Sequence, residues 1–338
     1  MPAVRFLAWP GMPAKRPLVE AARLANVEVQ LEIVSSNEGI EERLRAGCVY
    51  DVVCPSDYMV ERLRSAEMLS PLDAEQLPGR ARLTPIFSNP PWDPGLEHST
   101  PLAFGTTGIL FRRLDVPDAV SWMTLFDPPG QYGVGMLAEV REVLGAALLA
   151  TGHGINQTTS EAMADAAALL EAQAPRVLAY TSDDFITPVA AGKVVAHHAW
   201  SGPAALAVRA DAGLSYSLPR EGACLWTTTA AMPVNAPDPA AAHRLIEALL
   251  TPEIAAATVL ATGFATPNDS ARAVLPAALR HDPVLFPPPR ELERCQIMRD
   301  VGARETNLEA VWTALRRRTS CAAARPPADA RASGRSST

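Results

Sequence analysis

The N-terminal stretch alternates between two hydrophobic periods, and this alternation decides most of what the chain can become. Apolar residues dominate Val4–Trp9, recur at helical spacing from Ala14 to Ala25, and alternate with polar ones over Val27–Val34. Helical spacing returns from Glu38 to Ala46, and an apolar run follows at Asp51–Cys54. A β-α-β-α-β order brings successive strands back in the same direction, so it predicts a largely parallel sheet covered by helices. Further along, Ser160 suits the N-cap of an Ala/Leu-rich helix that Pro175 stops, and Arg176–Tyr180 reads as a strand. Gly192 separates a short helix from a strand at Val194–Trp200, and Asp183 and Asp184 suit its cap. Asp238 and Pro239 open a helix that runs through Leu250, and Gly263 fits the left-handed C-cap of the next one. The Pro- and Asn-rich segment from Leu77 to Pro101 reads as a long surface excursion, and the Ala/Arg/Ser/Pro-rich end from Arg318 as a disordered tail.

With 338 residues, 48% of them hydrophobic, the chain can bury a large core and is expected to make two domains. Its 37 acidic against 30 basic residues give a net charge of −7, which argues against nucleic acid and suits a cationic ligand. No segment reaches the roughly 18 apolar residues of a membrane span. The five cysteines (Cys48, Cys54, Cys224, Cys295 and Cys321) contain no CxxC pair and read as free thiols, the first four buried and Cys321 exposed in the tail. Enzyme signatures are missing: the sequence has no G-x-S-x-G elbow, no P-loop and no H-E-x-x-H. Gly133–Ala138 satisfies G-x-G-x-x-A but follows a Pro-rich stretch rather than an apolar strand. His197 and His198 would point to opposite faces of a strand, unlike paired metal ligands. No catalytic role, cofactor or metal is expected.

Two segments carry a more specific signal: Tyr50-Asp51-Val52-Val53-Cys54-Pro55-Ser56-Asp57-Tyr58 and Cys224-Leu225-Trp226-Thr227-Thr228-Thr229-Ala230-Ala231-Met232-Pro233. With Ser121–Pro128, Phe264–Asn268 and Asp300-Val301-Gly302 in order, the chain resembles the spermidine/putrescine-binding proteins of bacterial ABC importers from Val4 to about Arg317. The resemblance implies a two-lobed type 2 periplasmic-binding-protein fold of the α/β class, with the ligand cleft at the hinge. It implies discontinuous lobes, 1–107 plus 231–285 and 108–230 plus 286–317, with strand crossovers near Gly105–Leu110 and Thr227–Met232. It further implies a monomer that closes on a small cationic ligand and docks on a membrane permease. Such proteins act in the periplasm or on the cell-surface side of the membrane. No leader precedes Val4, so a trimmed leader, a misassigned start or a domain detached from a membrane protein is implied as well.

A polyamine presents ammonium groups separated by methylenes, so its pocket needs carboxylates for the charges and aromatic walls for the chain. Matching motifs puts Trp9, Tyr58, Trp200 and Trp226 on the walls, Ser56 beside them, and the acidic pair on Glu139 and Glu142. Those two acids lie three apart at the start of a helix, whose dipole favours them. The chain departs from the family pattern at four places. Thr228 replaces an aspartate, Pro10-Gly11-Met12 a polar and acidic turn, Phe264 a tyrosine and Met298 a glutamine. One end of the pocket has thus lost most of its charge-reading groups while the other keeps two acids, which fits a ligand with one cationic and one neutral end. Alternatives are another amine, agmatine-like, an opine or an aminophosphonate, or a ligand-sensing domain. Trp122 and Trp312 are assigned to packing.

Overall fold

The structure, a computed structural model, describes residues 1–10, 12–116, 121–130 and 132–323; Gly11, one of the altered positions, lies outside the described residues. The strands are β1 (Ala3–Ala8), β2 (Glu28–Ile33), β3 (Val52–Val53), β4 (Leu69–Ser70), β5 (Ser99–Arg112), β6 (Val134–Met136), β7 (Val177–Tyr180), β8 (Ala196–Trp200), β9 (Leu214–Ser217), β10 (Ala223–Pro233) and β11 (Cys295–Ile297). Helices α1 (Lys15–Ala25) and α2 (Asn37–Arg45) connect the first three strands, and α3 (Asp57–Ser65) follows β3. β1 pairs in parallel with β2 and β3, as the N-terminal alternation predicts. At the far end of the same sheet β6 pairs in parallel with β7 and β8. The strand order β2-β1-β3-β10-β5-β8-β6-β7 joins the two parallel halves through an antiparallel centre, with β4 and β11 on β10 and β9 on β5. Two α/β lobes therefore share the long strands β5 and β10. These pair antiparallel from Cys224 opposite Thr107 to Ala231 opposite Ser99, with a register shift between Thr228 and Thr229.

Burial explains which faces meet. Leu18, Ala21, Ala22 and Ala25 make one stripe of α1 and pack with Val4, Phe6 and Ala8 of β1 and with Leu245, Ile246 and Leu249 of the helix Pro239–Leu249. A second cluster takes Leu7 with Ile40 and Leu44 of α2 and Met59, Val60 and Leu63 of α3. The other lobe has its own cluster around Leu110, Leu137, Phe185, Val189, Ala199 and Leu214. Each buried Val, Leu, Ile, Phe or Met side chain among these contributes about 1.5–3 kcal/mol of transfer free energy, and the alanines less. β5 is buried along both faces except at Arg112, which is why it reads as a continuous apolar and hydroxyl run instead of alternating.

Several local expectations need correction. The stretch from Leu77 to Pro101 is no surface excursion: Leu77, Phe87, Trp92 and Leu96 are buried, and Trp92 is fully enclosed. Short helical turns fold those side chains inward, and the polar residues that suggested a loop make the turns. Thr159, not Ser160, caps the helix Ser160–Gln173, accepting from the Ala162 N–H. The last helix, Glu305–Ala323, runs past Arg318 into the segment expected to be disordered; the residues after Ala323 lie outside the described ones. Asp238 caps its helix as expected, Gly263 takes the left-handed φ of 74°, and Asp184 accepts from the Thr187 N–H while Asp183 makes no such bond. Cys54 and Cys224 are buried free thiols, Cys48 and Cys295 only partly buried ones, and the Cys321 side chain is outside the described residues.

Candidate ligand cleft

The carboxyl ends of the parallel strands of both lobes converge on the shared strands, the place where α/β sheets bind ligands. Trp9 follows β1, Asn37 and Glu38 follow β2, Ser56 and Tyr58 follow β3; from the other lobe Glu139 follows β6 and Trp200 ends β8. Gly105 and Thr107, two apart on β5, face one side and lie about 7 Å apart. Trp226 pairs with Gly105 across the ladder, and its ring fills the space where a Cβ on Gly105 would collide with it. The Thr107 hydroxyl donates to Glu142 Oε1 at 3.0 Å, and the indole N–H of Trp200, paired with Thr107 on the other side, donates to the same oxygen at 3.2 Å. Phe264 stands edge-on to Trp226 with ring centres 5.0 Å apart. Met298 is buried one residue beyond Ile297, the partner of Leu225 on β10. Thr228 is bridged to Ser56, and Trp9 donates its indole N–H to the Cys54 carbonyl at 2.6 Å. The indole N–H of Trp226 is buried and finds no acceptor among the described residues.

Residues that the sequence did not single out hold the first-lobe wall in place. Asn37, buried at the start of α2, donates from Nδ2 to the Ser56 hydroxyl (2.8 Å) and to the Tyr58 hydroxyl (3.0 Å), and accepts the Ser56 N–H on Oδ1 (3.0 Å). The Tyr58 hydroxyl in turn donates to Glu38 Oε1 at 3.0 Å. The Ser56 hydroxyl is thus engaged by Asn37 and makes no side-chain cap to α3. Pro55 and Asp57 fasten this loop to β10: the Thr229 N–H donates to the Pro55 carbonyl and the Thr227 N–H to Asp57 Oδ2, both at 2.9 Å. The other Asp57 oxygen takes the Tyr58 N–H at 2.9 Å. Burial pushes Asp57 up to about 7 while those two N–H bonds pull the other way. A polar Asn-Glu pair directly after a strand of the unit that carries Trp9 and Ser56 was the signal available for Asn37 and Glu38.

The electrostatics of the cleft are lopsided. Glu142 is 9% exposed, and burial pushes it up to about 7 against the bonds from Trp200 and Thr107. Glu139 precedes the first turn of the helix Val140–Ala150, accepts from the Ser182 hydroxyl at 3.2 Å, and is raised by burial and by the charge of Glu38. Glu38, Glu139 and Glu142 have no cationic group within ion-pair distance among the described residues. Arg141, between the two acids in sequence, turns away to Glu305 (3.2 Å), Asn156 Oδ1 (3.2 Å) and the Arg299 carbonyl (3.1 Å), with its guanidinium 5.4 Å from the Tyr58 ring centre. Beyond it Arg62 reaches Glu305 at 2.9 Å and Asp300 at 3.1 Å, and Arg299 grips both oxygens of Glu61. The second turn of α3 is thereby tied to residues 299–305. The arginines pair within that network, and of them Arg141 acts on Glu142 only through its charge, which opposes the upward push of burial.

A profile of the family described as bacterial extracellular solute-binding protein matches residues 21–287. The chain belongs to that family. Spermidine/putrescine-binding periplasmic protein 1 of Haemophilus influenzae is 31% identical over 290 residues, covering 84% of this chain and 81% of the relative. A putrescine/cadaverine-binding protein of Pseudomonas aeruginosa is 27% identical and covers 92% of each. Among solved structures, a putative spermidine/putrescine ABC transporter from Listeria monocytogenes superposes with a TM-score of 0.87 at 26% identity, over 94% of this chain and 99% of that one. This solute-binding protein is a binding protein and not an enzyme, with the two-lobed type 2 fold that its motifs implied.

Proposed function

We propose that this solute-binding protein captures a polyamine-like cation for an ABC importer on the periplasmic or cell-surface side of a membrane. The observation that carries the reading is the trio of cleft carboxylates, Glu38, Glu139 and Glu142, none of which pairs with a cationic side chain among the described residues. Burying a carboxylate without a partner is costly, so a site that keeps one buried and two half-buried is arranged for a positive guest. Glu142 and Glu139 take the ammonium, Trp200 orients Glu142, and Trp9, Tyr58 and Trp226 supply flat walls for methylenes and cation–π attraction. The lobes, 1–107 plus 231–285 and 108–230 plus 286–317, close on the ligand, and the closed monomer engages a membrane permease.

The positions that depart from the family pattern supply no charged side chain. Thr228, Phe264, Met298 and Met12 can contact methylenes or a neutral group, and both Asp57 oxygens are occupied by backbone N–H groups. A ligand with one ammonium end and one neutral end suits this arrangement better than a symmetrical diamine. Calorimetric titration of ligand-free protein with putrescine, spermidine, agmatine and N-acetylputrescine tests the reading. Saturable binding of an amine, lost in Glu139→Gln/Glu142→Gln, is expected; a folded protein that binds no amine overturns it.

A further inference from the structure

The acidic pair on the second lobe leaves open what the first lobe brings to the cation. Trp9, Ser56 and Tyr58 offer rings and hydroxyls only, Thr228 has no charge, and Asp57 is sealed by the N–H groups of Tyr58 and Thr227. The acid that touches this wall is Glu38, while Arg62, 5.8 Å from the Tyr58 ring centre, is paired with Glu41, Asp300 and Glu305. Its Oε1 accepts the Tyr58 hydroxyl at 3.0 Å, and its Oε2 has no donor among the described residues. Asn37 Nδ2 donates to the same Tyr58 hydroxyl, so the hydroxyl proton is committed to Glu38 and the carboxylate is oriented through two bonds. The Tyr58 ring in turn lies under Arg141, two residues beyond Glu139 and next to Glu142, which brings Glu38 to the edge where the two lobes meet.

We propose that Glu38 is a ligand carboxylate that faces Glu139 across the cleft, so that an ammonium held between them makes closure depend on the ligand. The inference rests on the amine-binding reading and assigns one more residue to that site. Two like charges on opposing lobes resist closure while the cleft is empty, and a cation between them turns the repulsion into two attractions. The Arg62, Arg141, Arg299, Glu61 and Glu305 network draws the same surfaces together, so the ligand has only to remove an opposition that Glu38 and Glu139 create. Burial and the charge of Glu38 raise Glu139 in the same sense.

Glu38→Gln separates this role from that of merely positioning Tyr58, because the amide oxygen still accepts the Tyr58 hydroxyl while the charge is gone. Putrescine and spermidine affinities are expected to fall roughly 10- to 100-fold, the range of a charge-assisted hydrogen bond. The ligand-free variant should also be more compact than the wild type by small-angle scattering, since the repulsion that holds the lobes apart is relieved. Tyr58→Phe provides the contrast. If Glu38 only positions the ring, Tyr58→Phe weakens binding and Glu38→Gln does not. Wild-type affinity in Glu38→Gln, alongside a loss in Glu142→Gln, overturns the inference and leaves the amine-binding reading standing. Wild-type silence toward both amines overturns both.

Discussion

Replacing Glu142 by Gln separates what a buried carboxylate costs from what it is for. The substitution keeps the side-chain size and an oxygen for the Thr107 hydroxyl and the Trp200 indole, and removes the charge. Burial lifts Glu142 from 4.5 to about 7, so between those values the folded protein holds a proton that the unfolded chain has released. The native state then binds more protons, and stability falls as pH rises: the cost is absent below about 4.5 and complete above about 7. At about 1.4 kcal/mol per pH unit the full cost is roughly 3 kcal/mol. His197 and His198, pushed down by burial to about 4 and about 3, carry the opposite slope, losing stability as pH falls below 6.5. Their contribution cancels when wild type and variant are compared at one pH. Urea denaturation of the ligand-free proteins at pH 5 and pH 8 is therefore expected to show Glu142→Gln gaining roughly 2–3 kcal/mol relative to wild type between the two conditions. Its affinity for putrescine should fall at least tenfold at pH 8. A variant equally destabilised at both pH values would refute the claim that Glu142 is a buried, unneutralised acid.

Two further substitutions test the cleft floor and its neutral end. Gly105→Ala puts a methyl where the Trp226 ring lies, so the ring must move; a cost of about 1–3 kcal/mol in stability and at least a tenfold loss of ligand affinity are expected, read by denaturation and titration. Thr228→Asp adds a carboxylate at the uncharged end, opposite Ser56, and should raise the affinity for spermidine over that for N-acetylputrescine; an unchanged ratio would count against a neutral end at Thr228.

What the sequence revealed divides by range. The β-α-β-α-β unit was legible because each of its elements buries a stripe that local periodicity reports, as in Leu18, Ala21, Ala22 and Ala25 of α1. The loop at Pro55–Tyr58 and the Trp226 strand were legible as motifs, and the structure brings Ser56 and Thr228 side by side. Asn37 and Glu38 stayed hidden because their one signal, a polar pair following a strand of the unit that carries Trp9 and Ser56, is shared with ordinary first-turn residues; their task appears only when β2 and β3 set them beside Tyr58. The ion pairs from Glu61 and Arg62 to Arg299 and Asp300 join residues 238 apart in sequence, a distance over which no local pattern speaks. Trp92 misled in the other direction: its Pro- and Asn-rich neighbours describe the turns around it and not its own burial.

The continuity of β5 and β10 has a mechanical consequence. Both lobes are threaded on the same two strands, so rotating one lobe against the other adds twist to this pair or removes it, about a mean of 20–25° between neighbouring strands. The register shift between Thr228 and Thr229 interrupts the ladder part-way along this axle. Trp226, Thr228 and the Ser56 loop are mounted on it. A guest molecule in the cleft therefore sits on the torsion element itself, and a small change in the angle it imposes is magnified at the outer ends of both lobes, farthest from the axle.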